Sequence, residues 1–418
     1  MQIKELIYND IPVVLINTNK FKTVVVSLFL KEKVKEDMML TRSMIRNTIM
    51  HTSLKYNTSK SLSLNILKNY NPSYNASTIR EGNYLISSYS FKVLEDKYTE
   101  KGNYNRVLDT FKEIIFNPNA KDDMFNSDEF SLMYKSLKGY IESKIERPKN
   151  YAIEKLSENM GKNTPISYTI NLKNLNKVTE KSLYKDYKDM LNNSEKMLIL
   201  AGNITDDIYN DTVKILDNLK QVTYTDDLII ESNIDENIDD VIEDYNGKQS
   251  ILTVGLKLDK LSCFERLYSA VIFNGILGGG ASSRLFDIIR EKNHLAYFAF
   301  SRYEKDDSLI HIVSGIEKDN YEKTYTLIKN IINNMKTVNV EEIDRVKKEI
   351  VSSLKESNDY LASYPKNYYY NKLFEIKSKE EIIENINKVT KSDIEGIYNK
   401  IHLSNSYFMR GVNKDEED

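Results

Sequence analysis

Asn174-Leu175-Asn176-Lys177-Val178-Thr179 returns 211 positions later as Asn385-Ile386-Asn387-Lys388-Val389-Thr390, and this echo decides how the chain is built. A second echo stands upstream of each copy. Pro148-Lys149-Asn150-Tyr151, followed by Lys155-Leu156 and Glu158, recurs as Pro365-Lys366-Asn367-Tyr368, followed by Lys372-Leu373 and Glu375, at an offset of 217. Two collinear matches at nearly equal offsets, each near half of the 418-residue chain, mark a duplicated domain. A gap of six residues around Gly161 to Ser167 reconciles the offsets. After each Thr comes a helical stretch and then an apolar run closing on glycine, Met197 to Gly202 in one copy and Tyr407 to Gly411 in the other. Thr390 with Asp393 reads as a capping box, in which the two side chains satisfy the orphan N–H groups of a helix start.

Outward from the repeats, each half fills with similar elements. Ile11 to Asn17 and Thr23 to Leu30 are β-branched runs around a turn-like Asn-Lys segment and read as a strand pair. Met38 to Met50 and Lys60 to Asn69 read as helices and Tyr84 to Val93 as a strand. Asn105 to Ile115 and Asp128 to Glu146 read as long amphipathic helices, the first ended by Asn117-Pro118 because the residue before proline is pushed out of the helical region. In the second half Ser250 to Leu258 is a strand, and Phe264 to Ile276 a helix stopped by Gly278-Gly279-Gly280. Ser282 or Ser283 then caps a short helix carrying Arg284 to Arg290. Tyr297 to Tyr303 and Leu309 to Ile316 form a hairpin, and Tyr321 to Met335 and Val340 to Asn358 are helices. Between the halves Thr225 to Asp244 is rich in Asp and Glu and reads as a solvated connector. The boundaries are a first domain at 1–222, an acidic linker at 223–247 and a second domain at 248–418. The class is α+β, with mostly antiparallel sheets packed by helices.

Composition narrows the function. With 59 Lys and Arg against 62 Asp and Glu the net charge is −3, which offers nucleic acid or an anionic membrane no electrostatic footprint. The start of the chain lacks the apolar core of a signal peptide, and no run approaches the length of a membrane span. The lone cysteine, Cys263, excludes an internal disulfide and fits a reducing cytoplasm. The catalytic inventory is thin. His51, His294, His311 and His402 are scattered, with no pair spaced to meet a metal from one helix face. No nucleophile elbow is present, and the triple glycine lacks the Gly-Lys-Ser/Thr of a phosphate loop. It reads instead as a tight turn that needs positive φ.

One long segment carries a resemblance. Ile276-Leu277-Gly278-Gly279-Gly280-Ala281-Ser282-Ser283-Arg284-Leu285-Phe286, continuing through Ile289-Arg290-Glu291-Lys292 to Leu295-Ala296-Tyr297, resembles the second-domain signature of the pitrilysin/insulinase-type zinc peptidases, the group with the inverted motif His-x-x-Glu-His. The duplicated halves, the acidic linker and Phe116-Asn117-Pro118 agree with it. The resemblance implies two homologous αβ domains in a clam-shell arrangement. It also implies a first-domain helix bearing the zinc motif, with a further Glu downstream. Aligned through Lys55-Tyr56, the motif falls on Ser43-Met44-Ile45-Arg46-Asn47 and the distal ligand near Leu137-Lys138-Gly139, where neither histidine nor carboxylate stands. By the same resemblance Arg290 and Tyr297 match the family's substrate-contacting Arg and Tyr, supported by Gly278, Gly279, Gly280, Ser282 and Ser283. A fixed guanidinium and phenol can hold a peptide backbone and stabilise a developing oxyanion.

Some bacterial members work as two chains, one with zinc and one with the Arg/Tyr pair. The opening Ile11-Pro12-Val13-Val14-Leu15-Ile16, followed by Lys20-Phe21-Lys22-Thr23, looks like the inactive YmfF-type subunits of Gram-positive bacteria. What this implies is a non-catalytic subunit of a heterodimeric metallopeptidase, with no cofactor of its own and zinc in a homologous partner. Its partners would be that subunit and a peptide substrate, with neither nucleic acid nor membrane. A purely structural subunit and a stand-alone peptide- or leader-binding module remain as alternatives.

Overall fold

The computed structural model describes residues 1–234, 238–356 and 359–412, which fold into two units. Unit 1 comprises Met1–Ile141, Ile170–Asp226 and Ser357–Glu375, and unit 2 comprises Glu142–Thr169, Asp227–Glu356 and Ile376–Asp418.

Unit 1 contains β1 (Gln2–Tyr8), β2 (Ile11–Asn17), β3 (Thr23–Lys33), β4 (Ser73–Glu81), β5 (Tyr84–Leu94), the two-residue hairpin strands β6 (Ala120–Lys121) and β7 (Met124–Phe125), and β8 (Glu195–Gly202). Its sheet runs β1-β2-β8-β3-β5-β4, with β8 parallel to β2 and antiparallel to β3. Unit 2 contains β9 (Val241–Asn246), β10 (Ser250–Leu258), β11 (Ala296–Glu304), β12 (Leu309–Ile316) and β13 (Ile401–Val412). Here the order is β11-β12-β10-β13-β9, with β9 parallel to β13. Taken from the other end, β9-β13-β10-β12-β11 reproduces β2-β8-β3-β5-β4, with the single parallel pair in the same place. The duplication is therefore written into the topology, and β1 is an addition to unit 1.

The helices of the first half are α1 (Met38–Ile49), α2 (Ser59–Lys68), α3 (Asn103–Phe116), α4 (Ser127–Glu142), α5 (Pro148–Met160), α6 (Leu172–Leu175), α7 (Glu180–Asn193) and α8 (Asp206–Val213). Those of the second are α9 (Ala270–Leu277), α10 (Tyr321–Asn334), α11 (Val340–Glu356), α12 (Ser363–Leu373), α13 (Lys379–Lys388) and α14 (Lys391–Tyr398). The echoed Thr179 and Thr390 each close a capping box, at the starts of α7 and α14.

Strand β3 shows how the core forms. Side chains alternate across a strand, and here both faces are covered, so the sequence is an almost unbroken apolar run. Val24, Val26, Leu28 and Leu30 enter a core with Met44 and Ile45 of α1 and Phe111 of α3. Val25 and Phe29 point the other way, into a cluster with Leu361 and Tyr369. Tyr369 belongs to α12, and its ring stacks on Phe29 with centroids 4.1 Å apart and planes within 6°. Such a pair adds about 0.5–1.5 kcal/mol beyond its burial.

That stack explains the second echo. Helix α12, from the second half of the sequence, lies on the sheet of unit 1, where Lys372 also bonds Glu5 of β1 at 3.0 Å. Helix α5, from the first half, lies on the sheet of unit 2, with Ala152, Leu156 and Met160 against Ile251, Val313 and Tyr407. The repeated Pro-Lys-Asn-Tyr segment thus belongs to a helix that each half contributes to the other unit, and the packing units cut across the sequence repeat.

Three expectations change. β2 and β3 are not a pair, because β8, with its apolar run Met197–Ala201, needs a neighbour on both edges and lies between them. The acidic stretch is not all connector, since its end is strand β9. There Glu243 accepts hydrogen bonds from Tyr151 and Tyr407, and Asp244 forms a two-point pair with Arg410 at 2.6 and 2.9 Å. Earlier in that stretch Ile230 N–H donates to Asp306 O at 2.8 Å. Asp235 and Glu236 of the stretch, and Asn358 at the end of the expected last helix, lie outside the described residues. Third, β1 and β4 are strands that the sequence reading passed over. Both are outermost in their sheet, and their polar, partly exposed side chains carry little apolar signal.

Candidate functional site

Helix α1 of unit 1 carries the positions on which the zinc motif falls. Ser43, Arg46 and Asn47 share a half-buried face and bond one another: the Arg46 guanidinium donates to Asn47 Oδ1 at 3.3 Å and to Ser43 Oγ at 3.5 Å. A fixed cation flanked by a hydroxyl and an amide is no ligand set for Zn²⁺, which takes thiolate, imidazole or carboxylate donors. Among the described residues no group of three or more His, Cys, Asp or Glu is placed to hold a metal. One position earlier Arg42 turns inward and forms a two-point pair with Glu32 of β3, both bonds 2.7 Å, at 4% and 6% exposure. This pair anchors α1 to the sheet.

Unit 2 carries the Arg/Tyr segment, and its elements account for the motif. Arg284 holds the segment to the helices behind it, bonding Glu342 at 2.8 and 2.7 Å and the carbonyls of Asn334 and Thr337. Ser282 Oγ donates to Glu349, and Arg345 donates to Ser282 O. Neither serine acts as the expected helix cap, for Ser283 Oγ donates to Gly280 O at 2.6 Å.

The glycines also act differently from expectation. None of the three has a positive φ; Gly278 sits at −159°. What excludes a side chain is close approach. A Cβ on Gly278 would stand 2.4 Å from Ser301 N, and one on Gly279 would stand 2.8 Å from Gly275 Cα. Ser301 N–H donates to Gly278 O at 2.9 Å, and Ser301 Oγ donates to Asn274 Oδ1 at 2.7 Å. The loop thereby locks the end of α9 onto β11.

Arg290 lies on a π-helical turn, Phe286–Lys292, a geometry that often marks functional positions. Its guanidinium covers the Phe286 ring at 4.7 Å and comes no nearer to Glu291 than 3.7 Å, so it is held by a face contact and a loose pair. The chain then turns at His294, which has φ 52°, and enters β11. Tyr297 is the extra residue of a bulge, because Ala296 pairs with Ile316 while Phe298 pairs with Gly315. A bulge re-aims a side chain, and Tyr297 is 61% exposed instead of sitting in the strand core. Its hydroxyl donates to Glu317 Oε1 at 2.5 Å, and that bond holds the phenol pKa above its usual value. Tyr297 therefore stays a neutral donor through the physiological range. Arg290, His294, Tyr297 and Glu317 all border one open cleft of about 340 Å³. The sequence reading named Arg290 and Tyr297 but not Glu317, which borders the same cleft; an acidic residue just beyond a strand carries no signal of its own.

The other histidines are apart from this cleft. His311 is buried in β12, its Nε2 3.3 Å from Ser157 Oγ of α5, and burial pushes its pKa down to about 4. Cys263 is an exposed free thiol.

A duplicated αβ unit, a helix without zinc donors where the resemblance puts the zinc motif, and an Arg/Tyr segment tied down by the glycine loop agree with a peptidase-like chain. Residues 177–350 match the family model described as Peptidase M16 inactive domain. Over 409 residues, 95% of each chain, the protein is 25% identical to the "probable inactive metalloprotease YmfF" of Bacillus subtilis. It is 23% identical over 333 residues to the "uncharacterized zinc protease YmxG" of the same bacterium, covering 77% of this chain and 76% of that one. Among solved structures, a conserved protein from Enterococcus faecalis superposes with TM-score 0.90 at 23% identity, covering 99% of both chains. A peptidase M16 inactive domain from Pseudomonas fluorescens gives 0.80 at 13% identity, covering 99% and 98%. Together these likenesses support a non-catalytic relative of the pitrilysin-type (M16) peptidases.

Proposed function

We propose that the chain is the zinc-less subunit of a heterodimeric metallopeptidase of the bacterial cytoplasm, lending Arg290 and Tyr297 to the active site of a zinc-bearing homologue that processes peptides. The observation that carries this reading is the pairing of the two residues in one open cleft. Arg290 has a largely unspent guanidinium, and the bulge aims Tyr297 outward on a strand clamped by the glycine loop. A residue serving only the fold would be expected to bury its ring or its charge. In the partner's site the guanidinium would hold the substrate backbone, and the phenol, turning its one hydrogen away from Glu317, would donate to the carbonyl oxygen as it gains charge. Loss of one such donor typically lowers the rate on the order of 100-fold or more.

Peptide would lie as an added strand. β4 and β11 are end strands of their sheets, and an unpaired edge offers main-chain hydrogen bonds of the kind that bind extended peptides. The cytoplasmic placement rests on the exposed lone thiol of Cys263; no described helix is long and apolar enough to cross a membrane. The test is turnover of a quenched fluorescent peptide library by the zinc-bearing homologue, alone and mixed with this chain. Activity that appears only on mixing supports the proposal. Unchanged activity with both proteins folded refutes it.

A further inference from the structure

The two units carry the same lysine on the same exchanged helix, yet what lies beneath it differs. In unit 2 Lys149 of α5 covers the rings of Phe298 and Phe300, 5.9 and 5.8 Å from their centroids. Both rings lie on the end strand β11 and pack against the apolar cluster under α5. In unit 1 the repeat puts Lys366 in that place. The corresponding end strand, β4, offers Asn75 and Ser77 to the same face. Small polar side chains stand where the other unit has two rings, and a cavity of 140 Å³ opens.

Its floor is regular sheet. Ser27 of β3 is the register partner of Ser90 of β5, which pairs with Asn75 of β4. One step along, Phe29, Ser88 and Ser77 form the next row, and Ser77 and Ser88 share a hydrogen bond of 2.8 Å. Among the described residues, the side chains of Ser27, Ser90 and Asn75 bond no protein partner. At the rim Lys366 Nζ lies 5.6 Å from the Tyr370 ring and forms no ion pair with a described carboxylate. Among the described residues no acidic side chain borders the cavity.

We infer that this cavity is a subsite for a carboxylate of a bound peptide, with Lys366 as its counter-charge and the Ser27, Ser90 and Asn75 side chains as its donors. Hydroxyls and an amide can all turn their hydrogens toward an anion, and bonds to an ionised acceptor are the stronger kind. At 140 Å³ the space falls well below the roughly 300–1,000 Å³ of pockets for whole small ligands; it takes one side-chain-sized group. The floor sits on three paired strands, so the donors are positioned before the ligand arrives, which favours specificity. In unit 2 the same place is filled by protein, so the subsite belongs to unit 1 alone. The inference rests on the reading of the chain as a peptide-binding subunit and adds the chemistry that the peptide must offer.

The experiment measures binding to the full chain by fluorescence anisotropy with three labelled decapeptide pools. One has a fixed internal Glu and an amidated C-terminus. The second has Gln at that position and the same amide, and the third has Gln with a free C-terminal carboxylate. The expected result is about tenfold tighter binding of the Glu pool than of the Gln-amide pool, the scale of a charge-assisted hydrogen bond. That ratio should fall to one in Lys366→Met and in the filled variant Asn75→Phe with Ser77→Phe. A preference for the third pool, likewise lost in both variants, would support the subsite and name the chain terminus as the source of its carboxylate. Binding of all pools without preference, or a preference that survives both variants, overturns the subsite and leaves the peptide-binding reading intact. Failure of every pool to bind overturns both. Lys366 is exposed, so Lys366→Met should fold, and the filled variant tests the cavity without touching the charge.

Discussion

Replacing Gly278 with alanine tests whether the glycine loop is a close-approach device. The added Cβ would stand 2.4 Å from Ser301 N, 2.5 Å from Ser301 Oγ and 2.6 Å from Leu285 Cδ1. The first of these is backbone in the strand that carries Tyr297 and cannot swing aside. With φ at −159°, alanine is comfortable in the conformation itself, so the whole effect is steric. Forcing a methyl into a packed site costs about 1–3 kcal/mol. Loss of the 2.9 Å bond from Ser301 N–H to Gly278 O adds about 1 kcal/mol. Gly280 is the internal control: its Cβ would meet nothing nearer than Glu349 Oε2 at 3.9 Å. Alanine there should be neutral or stabilise by about 0.4–1 kcal/mol through the unfolded chain. For a unit of this size each kcal/mol shifts Tm by about 2–4 °C. Thermal melts can be followed by tyrosine fluorescence, since the chain has 29 Tyr and no Trp. Gly278→Ala should lower Tm by several degrees while Gly280→Ala does not. Equal tolerance of the two, or the reverse order, would refute the close-approach account.

Other outcomes follow from the same geometry. Glu32→Ala leaves the Arg42 guanidinium buried without its partner and should cost about 3–5 kcal/mol, whereas Glu32→Leu combined with Arg42→Met should recover most of that loss; chemical denaturation of the three proteins decides. His311 has a folded pKa of about 4, below the ordinary 6.5, so between those values the unfolded chain holds a proton that the folded one refuses. Stability should therefore be fully present above pH 6.5 and decline as pH falls toward 4, by on the order of 3 kcal/mol. In His311→Gln that decline should shrink, which denaturation at pH 7 and pH 4.5 would measure. Neutralising the Glu317 carboxylate with Glu317→Gln should bring the Tyr297 phenol closer to its usual pKa, read by difference ultraviolet titration against Tyr297→Phe.

Much of the fold could be read from residues because its strongest signals are local. β2, β10 and β12 are apolar β-branched runs whose limits match the segments read from sequence, and Asn117-Pro118 ends α3 as steric restriction requires. The echoes disclosed the duplication, but no local signal tells that the helix after Pro148 packs in the unit of the other half. That exchange depends on which sheet face is left bare, a tertiary fact. The same holds for β8 between β2 and β3. At the site, Arg290 and Tyr297 were legible through the resemblance, whereas the bulge that exposes Tyr297 and the acceptor role of Glu317 depend on strand register. The glycines were legible as special for the wrong reason, since a sequence distinguishes poorly between a need for positive φ and a need for empty space.

The most direct test of the central claim is single-turnover cleavage by the zinc-bearing homologue saturated with this chain, comparing wild type with Arg290→Ala and Tyr297→Phe. The account predicts that both variants still bind the partner while the cleavage rate falls on the order of 100-fold. Unchanged cleavage by complexes of both variants would contradict it.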